Sequence, residues 1–201
     1  MRQIALAALL AAPLLASANL VTNGSFEDDA QGASSWNIYA NLNGWTGGEA
    51  GIELRNNVAG AAYHGSNFVE LDTTENSQMW QVIDTTLGQH YALSFAYSPR
   101  EGVSSASNGI EVFWNGTSQG VFTGNGAPAG NTWAIQNLSL TGAASASSLM
   151  FQAVGTSESY GGSLDAVSLT AAVPEPETYA LMLAGLGLVG LVARRRKAAA
   201  A

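Results

Sequence analysis

The chain contains no cysteine and very few basic residues. Without cysteine, disulfides, zinc-thiolate sites, iron–sulfur clusters and thiol catalysis are excluded. Lysine and arginine number only 7 in 201 residues, and residues 19–173 carry 13 acids against two bases, Arg55 and Arg100. A surface with this charge repels a phosphate backbone, which argues against nucleic acid as a partner. Its acidic oxygens suit hard cations such as calcium.

The N-terminus, residues 1–18, has the pattern of a secretory signal peptide. It has a basic residue at position 2, an apolar run over residues 4–15 and a small-x-small site over residues 16–18,. The alternative is a buried N-terminal helix. We predict export through the Sec translocon and cleavage by signal peptidase before Asn19, so the mature domain works outside the cytoplasm.

The C-terminal segment, residues 173–197, has three parts: a proline-rich motif over 173–177, a predicted transmembrane helix over 178–193 and a basic stop over 194–197. Within it, residues 179–193 are fifteen uncharged residues that would form a helix of about 22 Å, short of a bilayer core of about 30 Å,. Flanking bases can snorkel and the membrane can thin, and the basic cluster stays cytoplasmic. An unprocessed membrane anchor is the alternative. The residues concerned are Val173, Pro174, Glu175 and Pro176 in the sorting motif, and Arg194, Arg195, Arg196 and Lys197 in the stop.

This order of parts resembles the PEP-CTERM sorting signal of exported proteins of Gram-negative bacteria. The resemblance implies recognition by an exosortase, a membrane protease-transpeptidase that removes the tail, in a setting of exopolysaccharide and biofilm production. The prolines on either side of Glu175 impose an extended conformation that a processing enzyme can reach. We therefore expect a transient inner-membrane anchor, followed by delivery to the cell surface or extracellular matrix.

Residues 19–172 are predicted to form a single all-β domain. No stretch shows a sustained helical period, and Asn115-Gly116 between two apolar runs indicates a hairpin,. Ten short strands favour a two-sheet β-sandwich or jelly roll. The predicted strands lie near 19–22, 50–54, 66–72, 77–85, 90–97, 107–114, 117–122, 131–140, 147–155 and 162–171.

Four segments of this domain resemble galactose-binding-like jelly-roll modules, which include bacterial carbohydrate-binding modules. They are the opening 19–27, which contains Asn23-Gly-Ser-Phe-Glu27, the stretch 63–72, the stretch 81–95 and the closing stretch 162–169. The resemblance implies that the first and last strands lie close together and often hold a structural calcium. Glu27 and Asp165 are its candidate ligands, because calcium takes six to eight oxygens; two surface acids are the alternative.

Aromatic residues in loop-rich segments are candidates for carbohydrate binding, because sugar rings stack on aromatic faces. The stretch 31–48 contains Trp36 and Tyr39 among asparagines, and Tyr63 lies near glycine-rich turns. The alternative is that aromatic residues fill the core, which is the interpretation preferred for Trp45, Trp80, Trp114 and Trp133.

Catalysis has little support in the sequence, so the protein is predicted not to be an enzyme. The chain has two histidines and no nucleophile elbow, although Glu70 and Asp72 stand two residues apart, a spacing compatible with a glycosidase pair,. The leading hypothesis is non-catalytic binding or organisation of exopolysaccharide. The alternatives are a structural or adhesive matrix protein with no sugar site and a secreted glycan hydrolase.

Overall fold

The computed structural model describes residues 18–172, 183–190 and 195. Residues Ala18–Ala172 form one compact unit. Residues 183–190 are helical, and none of the helical residues described belongs to a helix long and apolar enough to cross a membrane. The predicted signal peptide up to residue 17, the sorting motif and the rest of the predicted transmembrane helix lie outside the described residues.

Within residues 18–172 the chain forms two antiparallel sheets of six strands each, which confirms the predicted all-β sandwich. Sheet 1 has the strand order β1-β4-β5-β12-β7-β10 and sheet 2 the order β2-β3-β6-β11-β8-β9. The strands are β1 (Ser35–Tyr39), β2 (Asn41–Leu42), β3 (Trp45–Gly47), β4 (Ile52–Asn56), β5 (Asn67–Glu70), β6 (Gln78–Asp84), β7 (His90–Ser98), β8 (Gly109–Trp114), β9 (Thr117–Phe122), β10 (Ala134–Thr141), β11 (Ala146–Val154) and β12 (Ser163–Ala171).

The core lies between the two sheets because alternate residues of each strand are apolar. In β7 the side chains of Tyr91, Leu93, Phe95 and Tyr97 are buried in this core. Trp45 and Trp114 are core residues too, as the sequence predicted. The core belongs wholly to residues 18–172, so this unit has its own hydrophobic interior.

The opening segment differs from the prediction. Residues 19–22 are not a strand of either sheet; instead the Leu20 N–H donates to the Leu169 carbonyl at 2.8 Å, and the Gln81 side-chain amide bonds both backbone groups of Thr22. The chain thus starts beside its last strand. Three short strands, β1 to β3, occupy the stretch 31–48 that the sequence indicated as loop-rich.

The NGSFE motif closes the sandwich at this point. The Gly24 carbonyl accepts a hydrogen bond from the Val167 N–H at 2.7 Å, and a Cβ on Gly24 would lie 1.9 Å from the Val167 carbonyl oxygen. Only glycine allows that approach. Two residues on, Phe26 is fully buried with its ring centroid 6.0 Å from that of Trp45.

Candidate functional site

The outward side of sheet 1 carries polar and aromatic side chains in register. Residues directly opposite each other in an antiparallel pair share a face. Trp36 is opposite Arg55, which is opposite Phe68, so these three side chains form one row across β1, β4 and β5. The neighbouring row contains Glu53 and Glu70. We call this surface the loop-covered face.

Residues 57–66, which connect β4 to β5, fold over this face. The backbone N–H groups of Tyr63 and His64 both donate to Asp165 Oδ2 at 2.8 Å, and Asp165 lies on β12, beyond β5 in the sheet. The Ala61 carbonyl accepts hydrogen bonds from Asn131 Nδ2 and Trp133 Nε1. The loop is therefore fixed both to the sheet and to the segment that precedes β10.

Glu27 holds the other end of the same loop. Its Oε1 atom accepts the N–H groups of Ser66 at 2.8 Å and Asn67 at 2.7 Å. The structure thus brings Glu27 and Asp165, the two predicted calcium ligands, to one short segment, residues 63–67. Burial raises the pKa of Asp165 to about 6, although backbone N–H groups of His64, Ala166 and Tyr63 favour its charged form.

Three aromatic rings pack together at the centre of the loop-covered face. Trp133 contacts Phe68 edge to face, with ring centroids 5.7 Å apart, and Tyr63 at 6.3 Å. Phe68 is fully buried, Trp133 is half-buried, and Tyr63 is 49% exposed. Tyr63 is consequently a solvent-facing ring on a rigid support.

The other two aromatic candidates lie on opposite faces of β1. Trp36 is 53% exposed and shares the face of Arg55. Tyr39 pairs with the core residue Ile52, packs against the core and donates its hydroxyl to Gln31 Oε1 at 2.8 Å. Because side chains alternate along a strand, the structure brings Trp36 but not Tyr39 to the face that Tyr63 occupies.

A buried charge network lies under the loop. Arg55 Nε donates to Glu53 Oε1 at 2.6 Å, and Arg55 Nη2 lies 3.3 Å from Glu70 Oε2. Arg100 Nη1 contacts Glu70 Oε1 at 2.9 Å. The network contains two acids and two bases, so its charges balance, and burial that leaves any one of them unpaired is costly.

Arg100 also connects this network to the surface. Its guanidinium carbon lies 4.3 Å from the centroid of the half-exposed Tyr160 ring, a cation–π geometry,. Arg100 forms its ion pair with Glu70. The adjacent Glu101 instead accepts a hydrogen bond from the Gly130 N–H. Desolvation outweighs the attraction of Arg55 and Arg100 and raises the pKa of Glu70 to about 7.

Glu70 and Asp72, the two carboxylates considered as a glycosidase pair, each have a structural role. Glu70 is fully buried between arginines and also accepts the Gly161 N–H at 2.9 Å. Asp72, equally buried, accepts the N–H groups of Glu158 at 3.0 Å and Tyr160 at 3.3 Å. Both carboxylates hold the 157–161 segment in place rather than facing an open cleft.

The residues near Glu27 and Asp165 supply some of the oxygen ligands that calcium requires. Calcium accepts amide and backbone oxygens as well as carboxylates. The Oδ1 atom of Asn67 is buried without a hydrogen-bond partner, while its Nδ2 donates to the carbonyls of Phe26 and Asp29. Among the described residues no group of three or more acidic or histidine side chains is placed to hold a metal. Glu27, Asp165 and the orphaned Asn67 oxygen are the atoms that would bind it.

Sequence reasoning missed the residues that support Tyr63. Trp133 was assigned to the core or sheet, and Phe68 and Arg55 were given no role. In β5, Phe68 precedes Val69, whose side chain faces the core. Because side chains alternate along a strand, the Phe68 side chain points outward, towards the loop,. Contact between Trp133 and a loop 70 residues earlier depends on the tertiary fold.

The comparisons first identify the end of the chain. Residues 172–197 match the PEP-CTERM protein-sorting motif. The tail is a PEP-CTERM sorting motif, as its proline-rich segment and basic stop predicted. The motif covers a short part of the chain, outside the β-sandwich.

The remaining similarities concern larger proteins and the fold. The chain is 34% identical over 151 residues to the multifunctional-autoprocessing repeats-in-toxin of Vibrio vulnificus, which covers 74% of this chain and about 3% of the toxin's length. TmCBM61, solved in complex with β-1,4-galactotriose, aligns over 78% of this chain and all of its own with a TM-score of 0.50 and 16% identity.

A second solved structure shares the fold. The arabinose-bound α-L-arabinofuranosidase MgGH51 aligns over 77% of this chain and 26% of its own, with a TM-score of 0.53 and 14% identity. These likenesses show that the β-sandwich shares its jelly-roll fold with both structures.

The raised pKa of Glu70 predicts how stability depends on pH. A carboxyl whose pKa is about 7 when folded and near 4.5 when unfolded stabilises the fold fully below pH 4.5, and that contribution is lost as the pH rises through 7,. Glu70→Gln should therefore flatten the pH dependence of the unfolding free energy between pH 4.5 and 8. Urea denaturation of residues 18–172 across this range measures it; parallel curves for both proteins would contradict the prediction.

Proposed function

We propose that residues 18–172 bind carbohydrate without catalysis through the loop-covered face, on an exported protein that an exosortase processes at its tail. The PEP-CTERM motif supports export and sorting, and the jelly-roll likeness supports sugar binding. The exopolysaccharide of the producing cell is the ligand that this sorting route would make available.

The observation that carries the proposal is the supported ring of Tyr63. The ring is half exposed, rests against Trp133 and belongs to a loop held by Asp165 and Glu27. A rigid aromatic surface loses little conformational entropy when a ligand stacks on it. Trp36 on the same face offers a second exposed ring. Two such rings suit a chain of sugars more than a single one.

The charges of the face favour a neutral glycan. Arg55 and Arg100, the two bases of residues 18–172, are both paired with buried carboxylates. Binding an acidic sugar through either guanidinium would compete with Glu53 or Glu70, at the cost of an unpaired buried charge. TmCBM61 was solved with a neutral galactose oligosaccharide, which agrees with this choice.

The test is affinity electrophoresis of residues 18–172 through the cell's own exopolysaccharide and through a panel of neutral and acidic glycans. Tyr63→Ala should weaken binding about tenfold, which corresponds to about 1.4 kcal/mol, and Trp36→Ala should weaken it too. Leu87→Ala, which removes a side chain that is 73% exposed in the β6–β7 turn, is the control and should bind normally.

Two outcomes would favour the alternatives. A folded domain that no glycan retards would leave the structural matrix protein as the explanation. Release of reducing sugar that is lost in Glu70→Gln would make the protein a glycan hydrolase, although Glu70 is buried in an ion network.

We also propose that calcium binds Glu27, Asp165 and Asn67 and stabilises the loop that carries Tyr63. Bound metal stabilises the folded state by mass action. Millimolar CaCl₂ should raise the thermal unfolding midpoint relative to EGTA, and Glu27→Gln should abolish the rise. Magnesium is the control, because it demands smaller octahedral sites. Equal midpoints in CaCl₂ and EGTA would overturn the proposal.

The sorting motif gives an independent prediction. Replacing Glu175 between its two prolines should prevent removal of the tail, because the exosortase then loses its recognition element. Glu175→Ala expressed in the native host should keep the full C-terminal mass, measured on the intact protein. Glu49→Ala, an exposed acid of the β-sandwich outside residues 172–197, is the control and should mature normally. A mature Glu175→Ala protein would show that processing does not read this residue.

A further inference from the structure

The outward side of sheet 2 carries a row of large apolar side chains. In the register of this sheet Trp80 is opposite Met150, and Met150 is opposite Phe113, across β6, β11 and β8. Their chain neighbours Met79, Leu149 and Val112 are buried in the core, so the three point away from it,. All three are half-buried. We call Trp80, Met150 and Phe113 the apolar row.

A parallel row of polar side chains lies beside it. Gln78 is opposite Gln152, which is opposite Glu111. These residues stand two positions from the apolar row along the same strands, on the same face. The Glu111 carboxylate accepts a hydrogen bond from Ser118. The two rows together place apolar surface next to amide donors and acceptors.

We propose that this face binds an extended neutral glycan chain at a second site, separate from the loop-covered face. Trp80 and Phe113 are two strands apart, about 10 Å. That separation is close to the repeat of two sugars in an extended β-linked chain. Two sugars would stack on Trp80 and Phe113, and the sugar between them would lie over Met150. The hydroxyls of these sugars would form hydrogen bonds with Gln78 and Gln152.

The charges of the face select this class of ligand. Of the six side chains in the two rows only Glu111 is ionisable, and none is basic. Nucleic acids and anionic membranes need a basic surface. An acidic polysaccharide would meet the Glu111 carboxylate without a compensating base. A neutral sugar chain has no such penalty.

The size of the patch argues against a second copy of the chain as the occupant. A stable interface buries about 800 Å² on each partner, over about 20 residues or more. The apolar row comprises three side chains that are already half-buried. A glycan needs only a narrow strip of this kind, because it is one sugar wide.

The experiment measures binding of residues 18–172, which have their own core, to hydroxyethyl cellulose and galactan by affinity electrophoresis. In the Tyr63→Ala background, which removes the first site, Trp80→Ala and Phe113→Ala should each weaken the remaining retardation by at least about tenfold. Val82→Ala is the matched control, because Val82 is 67% exposed on the same face but outside the apolar row. Circular dichroism verifies the fold of each variant. Gln152→Ala is a second test variant. It leaves the aromatic residues in place and should also weaken binding.

The binding of the variants distinguishes the two proposed sites. Loss of binding in Tyr63→Ala with full binding in Trp80→Ala, Phe113→Ala and Gln152→Ala would overturn this inference and leave the proposed function standing. The reverse pattern would support the second site and remove the first. A wild-type domain that sediments as a dimer, and becomes a monomer in Trp80→Ala, would assign the apolar row to self-association and overturn the glycan site.

Discussion

Two carboxylates that accept backbone N–H groups, the buried Asp165 and the exposed Glu27, determine how the surface of this sandwich is organised. Asp165 takes two N–H groups of the 57–66 loop at the point where β12 shifts its register, and Glu27 takes two more at the loop's end. Charge-assisted hydrogen bonds of this kind are among the stronger ones in proteins. They set the position of the loop, hence of Tyr63, and hence of the aromatic cluster with Trp133.

The two basic residues of the sandwich, Arg55 and Arg100, both belong to the ion network under the 57–66 loop. Arg55 and Arg100 neutralise Glu53 and Glu70, which leaves the remaining acids at the surface without a basic counterpart in residues 18–172. The outer surface is therefore acidic, and the apolar row lies beside Gln78 and Gln152 with Glu111 as the ionisable residue of the same face. An acidic surface of this kind repels anionic polymers.

Sequence patterns were sufficient for the fold class, because β7 alternates strictly and Asn115-Gly116 specifies its hairpin. They were insufficient where both faces of a strand are apolar. Trp80 lies in the sheet, as predicted, but half-buried on its outward face, whereas Trp133 is half-buried in the segment that precedes β10. The three-ring cluster depends on a contact between segments far apart in the chain, which periodicity does not encode. Tyr39 and Trp36 look equivalent in sequence, and only their phase along β1 separates them.

The chain enters and leaves the sandwich at neighbouring positions. Leu20 bonds to Leu169, and the Asn19 side chain accepts the Leu169 N–H, so the two ends of residues 18–172 meet along β12. A domain whose ends meet can be spliced into a surface turn of a longer polypeptide without disturbing its host. The similarity to about 3% of a very long toxin is consistent with such a portable unit. Evolution can then reuse one compact fold in proteins with unrelated architectures.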